Sequence, residues 1–332
     1  MLAVSVLAAL FAAAPAPALG APPAPETVCS VEDPRLGELS GLVAADDGWY
    51  AVNDGGTRLE VFVLDRDCAV RDVLTDPADP YDVEDLARAA DGTLWLGDTG
   101  DNRKQRETVA LHALPPGGAA TLYRLTYPDG AHDAEALLLD ESGTPYIITK
   151  NVLGKADVYR PAGPLASPGP TALEHVGSLR LTSTDTPGGP VGATGSLLVT
   201  GAASAHDGSV VAVRTYTDAY LYPVPDGDIP AAFRREPVRV PLPDEGQGEA
   251  IAFEADGTLL SAGEGVGSPV RAVPGAAELV PDDPSAGGTD GSAGDSAAAG
   301  EEDSPGLPVL PGIAVAVFAA ALLVFGFGKL RR

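Results

Sequence analysis

The chain has 332 residues, with 21 Lys and Arg against 47 Asp and Glu and a formal net charge of -26. That excess of negative charge excludes nucleic acid and anionic lipid as partners of the folded part, because both repel it. The 40 Gly and 31 Pro are a compositional bias rather than a sign of function.

From the N-terminus, residues 2–14 are almost entirely Leu, Ala, Val and Phe, followed by a stretch of small residues and prolines. This is the apolar region and cleavage zone of a secretory signal over residues 1–21, with cleavage after Ala18, Gly20 or Ala21, although no Lys or Arg precedes the apolar run. The competing reading is a buried N-terminal helix. A signal places the two cysteines, Cys29 and Cys68, in an oxidising compartment, where a lone pair forms a disulfide more often than a metal site.

Residues 29–281 carry a pattern that recurs five times: an acidic or hydroxyl residue, a small residue, an aliphatic residue, and a Gly eight positions after the first. The copies begin at Ser40, Glu84, Glu135, Thr200 and Glu249 and continue to Gly48, Gly92, Gly143, Gly208 and Gly257. Their spacing suits a four-stranded blade of roughly 40 to 50 residues. After each Gly comes a run rich in β-formers, such as Trp49-Tyr50-Ala51-Val52 and Val210-Val211-Ala212-Val213. The Asp-Gly pairs at 47–48, 91–92, 207–208 and 256–257, with Ser142-Gly143, predict two-residue hairpin turns. Third strands follow at Glu60 to Leu64, Val109 to His112, Asp157 to Tyr159 and Ala219 to Tyr222. No stretch sustains a helical period. The chain therefore reads as all-β, a β-propeller of five four-stranded blades, or six if the long interval between Glu135 and Thr200 or the termini hide another copy.

Residues 282–306 are nearly all Asp, Glu, Gly, Ser, Ala, Thr and Pro, an acidic linker too polar to order itself. Residues 307–328 form an uncharged apolar run long enough to cross a bilayer, and Lys329, Arg331 and Arg332 then make a basic cytoplasmic tail over 329–332. The expectation is a single-pass protein of the cell membrane with its propeller extracytoplasmic. Cell-wall attachment is the rival, but Leu307-Pro308-Val309-Leu310-Pro311 lacks the Thr-Gly of a sorting motif.

In a propeller the innermost strands run the same way, so the five repeat starts gather at one mouth of the central channel. With the Asp-Gly pair as turn, Lys150 lies across from Glu135, Glu264 from Glu249, Asp98 from Glu84, Asp54 from Ser40 and Arg214 from Thr200. The candidate ligand-binding ring is thus Asp54, Glu84, Asp98, Glu135, Lys150, Arg214, Glu249 and Glu264, with Asp82 and Asp133 two residues before their glutamates. Carboxylates at such positions also serve as acceptors for backbone N–H groups of neighbouring blades. Lys150 and Arg214, unusual in a base-poor chain, favour a site for a polar small molecule or a metal-assisted anion.

The segment Gly97-Asp98-Thr99-Gly100-Asp101-Asn102 offers hard oxygen ligands, and Asp98, Asp101 and Asn102 are candidates for calcium, against the alternative of an ordinary Asp/Asn/Gly turn. None of the four His has zinc spacing, and there is no nucleophile elbow, P-loop or dinucleotide fingerprint.

Glu38-Leu39-Ser40-Gly41-Leu42, Tyr50-Ala51-Val52-Asn53-Asp54, Val61-Phe62-Val63-Leu64-Asp65 and Asp82-Val83-Glu84-Asp85-Leu86, followed by a Gly-Thr-Leu-Trp strand, resemble secreted propellers of the phytase-esterase-like group and are similar to lactonase-like propellers. The resemblance covers roughly residues 35–275 and implies calcium-dependent hydrolysis of phosphate or lactone esters at the channel mouth. This chain departs from it in having only Lys150 and Arg214 as a basic pocket and no complete lactonase-like set of calcium ligands. Three functions remain open. The first is a membrane-tethered propeller that binds a ligand or partner at its mouth, with calcium. The second is a metal-dependent phosphoesterase or lactonase-like hydrolase in which Glu84, Glu135 and Glu249 hold the metal and Lys150 and Arg214 stabilise substrate charge. The third is a structural envelope protein docking on its partners.

Overall fold

The computed structural model describes residues 22–281. The expected signal, acidic linker, membrane span and basic tail lie outside the described residues, and no helix among the described residues is long and apolar enough to cross a membrane.

Among the described residues, twenty strands form antiparallel sheets of four. The first is β2 (Leu39–Ala45), β3 (Gly48–Asn53), β4 (Leu59–Asp65) and β5 (Val70–Asp76). The second is β6 (Val83–Arg88), β7 (Leu94–Asp98), β8 (Val109–Leu114) and β9 (Thr121–Thr126). The third, β10 (Ala134–Leu139), β11 (Pro145–Thr149), β12 (Lys155–Pro161) and β13 (Thr171–Arg180), joins the second through two parallel pairs between β13 and β9, so that the two form one eight-stranded sheet. The fourth is β14 (Val199–Ser204), β15 (Val210–Thr215), β16 (Asp218–Pro223) and β17 (Val238–Pro241). The last comprises β18 (Gly248–Phe253), β19 (Leu259–Gly263) and β20 (Ser268–Val273), and its outer strand is β1 (Glu26–Val31) from the other end of the chain. No further strand lies between β13 and β14 among the described residues.

First strands pack in a closed ring: β2 on β6, β6 on β10, β10 on β14, β14 on β18, and β18 on β2. This is the arrangement of a propeller. The aliphatic residue of each repeat is buried, Leu42, Leu86, Leu137, Ala202 and Ile251 each falling in a different hydrophobic cluster. The small residue before it explains itself by proximity. A Cβ at Gly41 would stand 2.6 Å from Leu86 N, and one at Gly201 2.5 Å from Glu249 O.

Ring closure has three parts besides β1. Cys29 is disulfide-bonded to Cys68 across a Cα separation of 5.8 Å, tying the fifth sheet to the first. Trp49 Nε1 donates to Glu254 Oε1 at 2.8 Å, and Arg66 pairs with the same carboxylate.

The hairpins differ from the expected two-residue turns. Gly92, Gly143, Gly208 and Gly257 have positive φ, but each donates its N–H three residues back, to Ala89, Asp140, Ala205 and Glu254, at 2.9 to 3.0 Å. Only the glycine is left-handed in these turns, as in longer loops that end on a glycine bulge. Gly48 instead opens β3, where any Cβ would collide with Leu64 O.

Candidate functional site

Each first strand carries a register irregularity at the same place: between Leu39 and Gly41, Val83 and Asp85, Ala134 and Ala136, Val199 and Gly201, and Gly248 and Ala250. The residue skipped is the first of each repeat, Ser40, Glu84, Glu135, Thr200 or Glu249. A bulge takes a residue out of the ladder and re-aims its side chain. It also shifts the cross-strand partners from those a regular hairpin predicts. Lys150 N donates to Asp133 O at 2.9 Å, Glu264 N to Gln247 O at 2.9 Å and Asp54 N to Glu38 O at 2.8 Å, while Asp98 pairs with Val83 and Arg214 with Gly201.

The hydroxyl members of the ring are ties between meanders. Ser40 Oγ donates to Glu84 O, and Thr200 Oγ1 to Gly248 O at 2.8 Å. The glutamates behave otherwise. Glu84, Glu135 and Glu249 are each 4 % exposed, and their carboxyls collect at the channel mouth with Asp82, Asp133 and Lys150.

Beneath them the channel is crossed by Asp85, a residue absent from the sequence-predicted ring. Its Oδ2 accepts from Leu137 N at 2.8 Å and Ala202 N at 3.1 Å, and its Oδ1 from Leu86 N at 2.8 Å. Burial pushes its carboxyl well above the usual range, against the pull of these backbone donors. Asp85 therefore performs the backbone-accepting role that the sequence alone allowed for any of the glutamates.

Two groups make up the mouth. In the first, carboxylate oxygens of Asp54, Asp82 and Glu84 lie within 4.8 Å of one another. Gly100 closes over them, its N–H donating to Asp82 O at 3.2 Å, and a Cβ there would run into Glu84 Oε1 and stand 2.5 Å from Asp82 Oδ2. Burial raises the Glu84 carboxyl well above its ordinary value, and the negative charges of Glu135, Asp54, Asp82 and Asp133 add to the rise.

In the second, Lys150 Nζ stands 3.0 Å from Glu135 Oε2 and 3.0 Å from Tyr216 Oη. Burial opposes the Lys150 charge, yet Glu135, Glu249 and Asp133 hold it well above the usual lysine value. One ammonium does not neutralise several carboxylates, and burial pushes Glu135 up to about 8 and Glu249 up to about 7 in spite of Lys150. Glu249 Oε2 has no hydrogen-bond partner among the described residues. At the edge, Glu264 accepts from Gln247 Nε2, and burial followed by the charge of Glu38 raises it to about 7.

Two expected site residues are committed within the protein. Arg214 is fully buried: Nη2 donates to Glu245 Oε2 at 2.7 Å, Nη1 to Ala250 O at 2.8 Å and Ala262 O at 3.1 Å, and Nε to Thr215 O at 3.1 Å. It is a strut between the fourth and fifth meanders. Asp98 accepts from Arg106 Nη2 at 2.9 Å, from Tyr81 N at 3.1 Å and from Asp82 N at 3.0 Å, with His112 Nε2 at 3.3 Å. Although burial pushes its pKa up, His112, Arg106 and these amides bring it below the ordinary value.

In the expected calcium set of Asp98, Asp101 and Asn102, both carboxylates are engaged by Arg106. Asp101 N donates to Asp133 Oδ1 at 2.8 Å and its Oδ2 accepts from Arg106 N at 2.8 Å, while Asn102 is exposed. The loop instead lays Gly100 against a different carboxylate group, and Arg106 Nη1 donates to Gly100 O at 2.8 Å. Of that group the sequence points to Asp54 and Glu84 as ring members and Asp82 beside them, while for a metal it offers Asp98, Asp101 and Asn102 or, in a hydrolase, Glu84, Glu135 and Glu249.

No family model matches the chain, and no curated protein matches it. Among solved structures it is similar to a candidate gluconolactonase at 14 % identity and a TM-score of 0.39, covering 68 % of this chain and 70 % of that one. It is also similar to the PQQ-bound aldose sugar dehydrogenase of Streptomyces coelicolor, at 12 % identity, a TM-score of 0.39 and coverage of 76 % and 99 %. A glucose dehydrogenase matches at 11 % identity, a TM-score of 0.41 and the same coverage. Likenesses this weak say nothing about chemistry.

Proposed function

We propose that this chain is a five-bladed extracytoplasmic propeller that holds a divalent cation, calcium, at its channel mouth and through it binds a polar small molecule. Residues 1–21 direct export, 282–306 act as a spacer, and 307–328 anchor the domain in the cell membrane with 329–332 inside. The observation that carries the reading is the convergence of Asp54, Asp82 and Glu84. The donor set fits a hard cation, since all three supply carboxylate oxygen. The cradle fits too, because Gly100 leaves room where any side chain would press on the carboxylates. A cation there would offset the burial and, after it, the mutual repulsion that raise Glu84.

In this site Asp54, Asp82 and Glu84 hold the ion, and calcium when bound supplies positive charge to polarise a ligand oxygen. Lys150, held by Glu135 and Tyr216, fixes the neighbouring carboxyls, and Asp85 closes the channel below so that a ligand enters and leaves by one mouth.

Isothermal titration with calcium tests the reading. Native protein is expected to bind, and Glu84→Gln to bind at least tenfold more weakly; no calcium binding by the native protein overturns it. For the membrane anchor, protease added to intact cells is expected to release a soluble domain by cutting within 282–306. Recovery of the intact chain from the medium overturns that part.

One observation favours a second reading, hydrolysis of a phosphate ester or lactone. Glu135, with its pKa raised to about 8, exchanges a proton near neutral pH beside the carboxylate group, as a general acid or base does. Calcium-dependent turnover of p-nitrophenyl phosphate or a simple lactone, lost in Glu135→Gln, supports it, and no turnover rules it out for these esters.

A further inference from the structure

The longest connection between a third and a fourth strand is residues 224–237, against 66–69, 115–120 and 162–170 in the first three meanders. Hairpin connections are mostly about 2–5 residues long, so this one builds something of its own. Its apolar side anchors it. Ile229, Ala232 and Phe233 are buried in the core cluster shared by the third and fourth meanders, and Phe233 meets Tyr222 edge-on at 5.1 Å. Asp228 caps the short helix α1 (Ile229–Ala232), its Oδ1 accepting from Ala231 N at 2.9 Å.

With its polar side the connection walls a cavity of about 500 Å³ against the third meander. The meander contributes Asp140, Tyr146, Arg160 and Glu174, and the connection contributes Asp226, Asp228 and Arg234. Asp140 follows β10 and Tyr146 lies near the start of β11, at the strand ends away from Glu135 and Lys150, so the cavity is on the face opposite the mouth. Its volume is that of a small-molecule site, typically about 300–1,000 Å³. The charges around it are unevenly used. Arg160 Nε pairs with Glu174 Oε1 at 2.8 Å, and the two cancel. Asp140 Oδ1 closes its own turn by accepting from Ser142 N and Thr144 N, both at 2.9 Å, while Oδ2 takes the buried Tyr146 hydroxyl at 3.4 Å. The Asp226 carboxylate has no hydrogen-bond or ion-pair partner among the described residues. The Arg234 side chain donates to Pro230 O at 3.2 Å and meets no carboxylate among them.

Opposite charges that line one cavity without pairing are complementary to a ligand that carries both. We propose that this cavity binds a basic amino acid, its carboxylate on the Arg234 guanidinium and its ammonium groups among the carboxylates of Asp226, Asp228 and Asp140. A guanidinium presents the parallel N–H donors that a carboxylate accepts. The balance of charge selects the side chain. With Arg160 and Glu174 cancelled, Asp140, Asp226 and Asp228 outnumber Arg234, so an acidic amino acid is repelled and a second ammonium is attracted. None of these groups belongs to the mouth, and the cavity works with or without a cation there.

Isothermal titration of the full chain at physiological ionic strength, where diffuse attraction to a negative protein is screened, tests this with free L-lysine. Two further probes each lack one charge: norleucine has no side-chain ammonium, and cadaverine has no carboxylate. Lysine is expected to bind at least tenfold more tightly than either. Arg234→Gln is expected to weaken lysine at least tenfold and to abolish its advantage over cadaverine, whereas Asp226→Asn weakens lysine and cadaverine alike. Both positions are exposed, and circular dichroism checks that the variants keep the fold. Lysine affinity is expected to be the same in calcium and in chelator, so that failure of the calcium site does not decide the outcome. No binding of lysine, equal affinity for lysine and cadaverine, indifference to both substitutions, or loss of binding in chelator overturns the proposal.

Discussion

Asp85 and Ala202 are 117 positions apart, yet the carboxylate of one accepts the backbone N–H of the other at 3.1 Å across the centre of the ring. The same oxygen takes Leu137 N at 2.8 Å, so one side chain links the second, third and fourth meanders. Asp85→Ala leaves three buried N–H groups without their acceptor, and each unsatisfied group costs about 1–3 kcal/mol. The expected loss is about 3 kcal/mol or more by urea denaturation of a chain ending at residue 281. Asp85→Asn keeps one acceptor oxygen, enough for Leu137 N and Ala202 N but not for Leu86 N, so it is expected to lose less. Equal losses would show that charge rather than hydrogen bonding matters there.

Closure of the ring depends on a second long-range tie. The Cys29–Cys68 disulfide spans a separation of 39 residues and joins the closing strand β1 to the turn after β4. Restricting the unfolded chain over a loop of that length is worth roughly 3–4 kcal/mol. Cys29→Ser is therefore expected to lower the midpoint of denaturation under oxidising conditions and to change nothing under reducing ones. A midpoint unaffected in both conditions would contradict this account.

The β class, the first two strands of each meander and the third strand of the first four are legible in the sequence because they are short runs rich in β-formers whose turns end on glycine. The fourth strands are not. Val70–Asp76 is mostly polar and partly exposed, and Glu26–Val31 finds its partner only at the far end of the chain. The mouth was partly legible for a related reason: equivalent repeat positions identify Glu84, Glu135 and Glu249, but a bulge leaves no mark in composition, and it moves every cross-strand partner by a residue or two. Arg214 reads as a free cation until Glu245 and two carbonyls are placed around it. Tyr216, whose hydroxyl oxygen accepts from Lys150 Nζ, has no sequence signal, since it sits in the short turn between β15 and β16.

Gly100 offers a test of the carboxylate group that leaves its ligands in place. A methyl group there would press against Glu84 and Asp82. Gly100→Ala is expected to weaken calcium binding at least tenfold, with a modest fall in metal-free stability of about 1–3 kcal/mol from overpacking. Calcium at a hundredfold excess over its dissociation constant stabilises the native protein by about 2.7 kcal/mol, and the variant should lose most of that gain in a thermal melt. Retention of the full calcium shift would move the cation away from Asp54, Asp82 and Glu84.

The mouth also fixes the direction in which stability responds to pH. Glu249 and Glu264 are raised to about 7 and Glu135 to about 8, from 4.5, with burial the first cause in each. Between those limits the folded protein keeps protons that the unfolded chain has released, so stability falls as pH rises. The contribution is complete below about 4.5 and is lost through about 7 and then about 8. Lys150, raised above the ordinary lysine value of 10.5, stays charged throughout this window, and Asp98, lowered from 3.8, stays ionised, so neither reverses the slope. Metal-stripped protein is therefore expected to melt at higher temperature at pH 5.5 than at pH 8.5, and Glu135→Gln to flatten the upper part of that dependence. Calcium requires ionised carboxylates, so its affinity is expected to strengthen over the same range and its stabilising shift to grow with pH. Melting curves across the window, with and without calcium, check both halves. A metal-free melting temperature that rises with pH would mean that the buried glutamates are already paired with positive charge, and the mouth would then have no call for a cation.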